Sequence, residues 1–157
     1  MGTAGVTREL TGTEYQLPPS RDLITVPDDV LAFYHERGYA SVEGVLSPEE
    51  VVAMQAVVDS FVDASRSATE HTPVFDLEPG HTTERPTLRR IKSPGANHPL
   101  FRRMIRHPVI VDIVEQFFGR GRGVRTNGDK LNMKSPGHGS PVQWHRELAA
   151  VAPFCLA

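Results

Sequence analysis

Three stretches of the chain carry apolar residues at helical spacing, and several shorter runs alternate between apolar and polar positions. In the first stretch, Pro27-Asp28-Asp29 supplies a proline suited to a first helical turn and two carboxylates suited to the positive end of the helix dipole. Val30, Phe33 and Tyr34 then make an i, i+3, i+4 stripe, and Gly38 stops the helix. The second stretch opens at Ser47-Pro48-Glu49-Glu50, with Ser47 as N-cap, Pro48 at the first helical position and Glu50 placed to complete a capping box. It predicts a helix to about Asp63 that buries Val51, Met54, Val58, Phe61 and Val62. The third starts at His107-Pro108, lines its core face with Val109, Ile110, Ile113, Val114, Phe117 and Phe118, and ends at Gly119. A shorter helical turn is expected from Pro99 to Ile105.

The alternating runs predict short strands at Tyr39–Val45, Leu88–Ser93, Val124–Asn127 and Lys130–Lys134, with Asn127-Gly128 as a tight turn between the last two. A further strand-like run covers 141–147, after the loop Ser135-Pro136-Gly137-His138-Gly139-Ser140. Residues 64–86 lose the period and read as a long surface excursion. Residues 1–26 are polar and read as a mobile arm partly draped on the domain. Helices first and close-set strands afterwards predict an α+β, mainly β fold: a β-sandwich or jelly roll with an N-terminal helical layer.

Composition narrows this picture in a few places. The 157 residues are the length of one domain, with 39% hydrophobic and 23% charged residues as in a globular protein. A net charge of -2 and a pI of about 6.4 give no overall electrostatic attraction to nucleic acid or an anionic membrane, and neither partner is expected. The single Cys excludes an internal disulfide framework and fits a reducing compartment. No apolar run reaches the ~20 residues that span a bilayer, and no basic-then-apolar signal opens the chain. The expected location is cytoplasmic. Gly119-Arg120-Gly121-Arg122-Gly123 lacks the spacing and the Gly-Lys-Ser/Thr ending of a phosphate loop and reads as a solvated turn. His71 and His81 have no partner at ligand spacing and read as ordinary loop histidines.

Candidate chemistry gathers at Pro141-Val142-Gln143-Trp144-His145-Arg146-Glu147. In an extended strand His145 and Glu147 point to one face, their Cα atoms about 6.5–7 Å apart, so that both can reach one ion. An imidazole and a carboxylate are two of the three ligands of the two-His-one-carboxylate triad that leaves positions open on non-haem Fe(II). No histidine follows His145.

Three blocks resemble the phytanoyl-CoA dioxygenase family. They are Phe33-Tyr34-His35-Glu36-Arg37-Gly38-Tyr39 running into Gly44-Val45-Leu46-Ser47-Pro48-Glu49-Glu50; Lys92, His98-Pro99-Leu100-Phe101 and the helix ending Phe117-Phe118-Gly119; and Leu131-Asn132-Met133-Lys134-Ser135-Pro136-Gly137 leading to Val142-Gln143-Trp144-His145-Arg146-Glu147. The resemblance implies a double-stranded β-helix with N-terminal helices, and Fe(II)- and 2-oxoglutarate-dependent hydroxylation of a small organic substrate. By match to the family pattern, His145 is the first iron ligand and Glu147 the acidic one, where the family more often has Asp. Lys92 and Asn132 resemble 2-oxoglutarate contacts, Lys130 lines the same pocket, and Gln143 is placed toward the substrate. The family also needs a later histidine and, beyond it, an arginine for the far carboxylate of 2-oxoglutarate; no histidine follows His145, and Arg146 directly beside it is the last arginine in the sequence. Residues 27–157 are therefore expected to be the N-terminal portion of such a domain, an incomplete jelly roll. The competing expectation is a non-catalytic remnant or interaction fragment with no complete iron site.

Overall fold

The computed structural model describes residues 22–121, 123–137 and 139–143. In chain order these form α1 (Asp28–Arg37), α2 (Pro48–Ser65), β1 (Phe75–Leu77), β2 (Leu88–Lys92), α3 (Pro94–Asn97), α4 (Pro99–Met104), α5 (Pro108–Phe118) and β3 (Lys130–Asn132). Pro48, Pro94, Pro99 and Pro108 each open a helix, at the one place where a missing N–H costs nothing. The capping box on α2 is complete: the Ser47 hydroxyl accepts the Glu50 N–H, and the Glu50 carboxylate accepts the Ser47 N–H at 2.8 Å. Gly38 adopts φ 81° to close α1, a left-handed conformation that a Cβ would strain.

The three strands form one antiparallel sheet in the order β1-β2-β3. Its apolar face carries Phe75, Leu77, Leu88, Ile91 and Leu131 against Met54, Val57, Val58, Phe61 and Val62 of α2 and Phe101 of α4. Leu88 and Ile91 are three residues apart, which in a regular strand would place them on opposite faces. A register shift between Asp76 and Leu77 leaves Arg89 as the extra residue in β2, so both side chains reach the core. A second cluster joins Val109, Ile113 and Phe117 of α5 to Val30 and Leu31 of α1, and takes in Ile24, Val26, Val42 and Val45. The Gln116 side chain holds residues 24–26 as a strand neighbour would, accepting the Val26 N–H at 2.9 Å and donating to Ile24 O at 2.8 Å.

Several sequence expectations need correction. Tyr39–Val45 is irregular: Gly44 takes φ 68°, and Val42 and Val45 both turn into the second cluster, which a straight strand would forbid. Val124–Asn127 is also irregular, so Asn127-Gly128 joins no hairpin, and β3 is confined to Lys130–Asn132. The 64–86 excursion holds the end of α2 and the whole of β1. Val51 is 47% exposed because its place in the α2 face is taken by Glu50, which is 0% exposed. Phe33 and Phe118 are exposed as well. Helix outweighs strand among the described residues, a mixed architecture with a small antiparallel sheet where the sequence predicts mainly β.

Candidate functional site

The face of the sheet opposite the core is polar and mostly cationic. The register pairs Asp76 with Arg90, Arg90 with Asn132, and Lys92 with Lys130, so these five side chains emerge on one side. Lys92 Nζ lies 3.0 Å from Asp76 Oδ1, and Arg90 Nη1 lies 3.7 Å from Asp76 Oδ2. The hydrogen bond from Lys92 is the main reason the Asp76 carboxyl is held below its ordinary range; burial opposes this, and the charges of Lys92, Arg90 and His71 add to it. Arg90 Nε is buried and meets no hydrogen-bond partner among the described residues. Two lysines directly opposed across an antiparallel pair repel unless an anion lies between them. Three cations against one carboxylate therefore make this face a place for an acidic ligand.

The end of β2 that carries Lys92 is fixed by a tight turn. Ser93 stands at φ 48°, unusual for a residue with a Cβ. Its N–H donates to Asp129 O at 3.0 Å, and the Asp129 carboxylate accepts the Gly95 N–H. A side chain on Gly95 would come within 2.6 Å of Ile105 Cδ1 and 3.0 Å of Asp129 Oδ2. Gly95 therefore permits the close approach that braces Lys92 and Lys130 together. His98 caps α4 by accepting the Leu100 N–H through Nδ1, and packs edge-on against Phe61. Burial, with the nearby Arg103 charge, pushes its pKa down.

At the other end of β2 a cleft of about 560 Å³ is lined by His71, Glu78, His81, Arg89 and Ser140, among others. Neither loop histidine is a plain solvated side chain. The His71 Nδ1 accepts the Leu77 N–H at 3.1 Å. The His81 Nδ1 accepts the Thr87 N–H at 3.0 Å, which leaves Nε2 to carry the proton and donate to Ser65 O at 3.1 Å.

The sequence-predicted site residues divide into two groups. Lys92, Lys130 and Asn132 stand on one face of one sheet. His145 and Glu147 lie outside the described residues, as does Trp144, while Gln143 lies in exposed, irregular chain. Sequence reasoning missed Asp76 and Glu78. The only signal for Asp76 was its place between Phe75 and Leu77, an apolar-polar-apolar triplet too short to stand out. Among the described residues no group of three His, Cys, Asp or Glu side chains could hold a metal. The described residues thus present cations that suit an acidic ligand.

Comparison with known proteins yields one family. The model for phytanoyl-CoA dioxygenase (PhyH) matches residues 34–154. No curated protein and no solved structure is matched. The match runs from α1 through the sheet and past His145 and Glu147, and on it the chain belongs to the phytanoyl-CoA dioxygenase family, a family of Fe(II)- and 2-oxoglutarate-dependent oxygenases.

Proposed function

We propose that this protein is a 2-oxoglutarate-dependent dioxygenase that hydroxylates a small organic substrate. The observation that carries the reading is the cationic sheet face that Arg90, Lys92, Lys130 and Asn132 share with one carboxylate, Asp76, which Lys92 and Arg90 approach. Lys92 and Lys130 would bind a carboxylate of 2-oxoglutarate, a dianion, by charge-assisted hydrogen bonds. Asn132 would orient it with a neutral amide, and Asp76 holds Lys92 in place between turnovers. The apolar side of the same sheet, packed on α2, keeps this wall rigid.

His145 and Glu147 would hold Fe(II). With 2-oxoglutarate and O₂ bound, the metal supplies the oxidising chemistry that hydroxylates an unactivated C–H while the 2-oxo acid is converted to succinate and CO₂. Glu147 has one methylene more than the Asp usual in the family, so its carboxylate would reach further from the backbone.

A second reading is favoured by the described residues, among which no group of three His, Cys, Asp or Glu side chains could hold a metal. On that reading the chain takes part in an interaction and does not catalyse.

Anaerobic titration with Fe(II) in the presence of 2-oxoglutarate, followed by a succinate assay in air, separates the two. Succinate well above a His145→Ala control supports the dioxygenase and requires a third ligand within the chain or from a second copy. Succinate at the level of that control assigns the chain to the second reading.

A further inference from the structure

The cleft beside the start of β2 differs from the cationic face in carrying free groups of both signs. Glu70, His71 and Arg89 all line it. Arg89 is the extra residue of the bulge in β2, so its side chain leaves the row of Arg90 and Lys92 and turns to the cleft. Its carbonyl accepts the Met133 N–H at 3.0 Å, which fixes the backbone of the bulge. His71 is held as firmly. Its Nδ1 accepts the Leu77 N–H, so in the neutral ring Nε2 carries the proton and serves as a donor. The turn behind it is closed by the Thr72 hydroxyl, which accepts the Val74 and Phe75 N–H groups at 3.1 and 2.8 Å.

Of the two carboxylates in the cleft, one is already committed. Glu78 is 6% exposed, and its oxygens accept the Ser140 N–H at 2.9 Å and the Ser140 hydroxyl at 2.7 Å. Those bonds are the main reason its pKa is lowered; burial opposes them, and the charges of Arg89 and Lys134 add to them. Glu70 is exposed, and among the described residues neither its carboxylate nor the Arg89 guanidinium has a hydrogen bond or an ion pair. Leu77 and Pro79 add apolar surface. A volume of about 560 Å³ is that of a small-molecule site, in which apolar walls take the body of the ligand and a few polar groups set its orientation. His71 also links the cleft to the cationic face, since its charge acts on Asp76. We infer that the cleft binds a small zwitterion with an apolar body: an amino acid whose carboxylate meets Arg89 and the His71 Nε2–H and whose ammonium meets Glu70. That this ligand is the molecule hydroxylated rests on the dioxygenase reading; its binding does not.

The test is a titration of ¹⁵N-labelled protein, without metal, followed by the amide resonances of residues 69–81 and 89. The probes are norleucine and ε-aminocaproate, two zwitterions that differ in charge separation, with hexanoate and pentylamine as their counterparts lacking the amine or the carboxylate. Each is taken to about 20 mM. At least one zwitterion should shift these amides, and hexanoate and pentylamine should bind about tenfold more weakly or worse. Arg89→Gln should weaken the zwitterion by about tenfold and Glu70→Gln by about fivefold, with Tm unchanged because both side chains are exposed. Lys92→Ala, on the cationic face, should leave zwitterion affinity within about twofold while it weakens 2-oxoglutarate. Failure of both zwitterions to shift the cleft amides overturns the site, and so does binding that Arg89→Gln leaves undiminished. Hexanoate as tight as the zwitterions overturns the part given to Glu70. Succinate formed above the His145→Ala control in a protein that binds neither zwitterion refutes the cleft site and leaves the dioxygenase reading standing. Zwitterion binding that Arg89→Gln weakens, with succinate at the control level, supports the site and refutes the dioxygenase reading instead.

Discussion

Asp76 gives the clearest single-residue consequence. It holds the Lys92 ammonium at 3.0 Å, in competition with any acidic ligand that Lys92 is to bind. Asp76→Asn should therefore tighten 2-oxoglutarate binding by a few-fold, and Lys92→Ala should weaken it by about tenfold or more, both measured by calorimetry. The cost to stability should be small. The pair is partly exposed, so Asp76→Asn is expected to lower the unfolding free energy by less than about 1 kcal/mol in urea. The pH dependence has a definite sign. The folded pKa of Asp76 lies below its ordinary value of 3.8, so the pair stabilises fully above that value and is lost as pH falls through the lower folded value. His98 acts in the same direction but at milder pH. Its folded pKa lies below 6.5, so the unfolded chain takes up the proton first and stability declines as pH drops beneath about 6.5. A His98→Gln variant, still able to accept the Leu100 N–H, should flatten that part of the profile in melts between pH 7 and pH 5. A pair such as His145 and Glu147 can be put forward from sequence because a two-residue spacing is local, whereas the partners of Asp76 and Glu78 depend on strand pairing and on a contact across 62 residues.

At the scale of elements, local chemistry was legible and partner choice was not. Ser47-Pro48-Glu49-Glu50 specified the start of α2 because every interaction of a capping box lies within four residues. What those residues do not reveal is that the same Glu50 is fully buried and accepts a hydrogen bond from His107 Nε2 at 2.9 Å, at the start of α5. Glu50→Ala should accordingly cost on the order of 3 kcal/mol, well above an ordinary lost cap, because it also leaves His107 buried without that partner. Urea unfolding of Glu50→Ala beside Ser47→Ala, which removes the cap alone and should cost about 1 kcal/mol, measures the difference. The alternation in Tyr39–Val45 misled because alternation reports a half-buried extended chain only where a neighbouring strand exists, and here Val42 and Val45 fill a helical cluster instead. Gly95→Ala should cost about 1 kcal/mol. The atoms a new Cβ meets, Ile105 Cδ1 and Asp129 Oδ2, end side chains that can shift, but the shift loosens the Asp129 bond that braces the Lys92 turn. A thermal melt read alongside 2-oxoglutarate affinity should show both falling.

For the molecule as a whole, binding should appear as stabilisation. Fe(II) at a hundred times its dissociation constant should add about 2.7 kcal/mol, a rise of several degrees in Tm that His145→Ala abolishes. The fold class was legible as a mix of helix and sheet that opens with α1 and α2, but the expected order of helices before strands is broken, since β1 and β2 precede α3, α4 and α5. The extent of the sheet was not, because a strand exists only where a neighbouring strand does, and Val124–Asn127 joins no strand of the β1-β2-β3 sheet. No helix among the described residues is long and apolar enough to cross a membrane. The bond from His107 to Glu50 has a further consequence for how the structure comes apart. It joins the first turns of two helices 57 residues distant, each belonging to a different apolar cluster. Neither turn can fray without exposing the partner's unsatisfied group, so fluctuations of the two should be synchronised. Amides at the starts of α2 and α5 should share one opening free energy and one denaturant dependence, a single cooperative unit bridging two cores that would otherwise breathe separately.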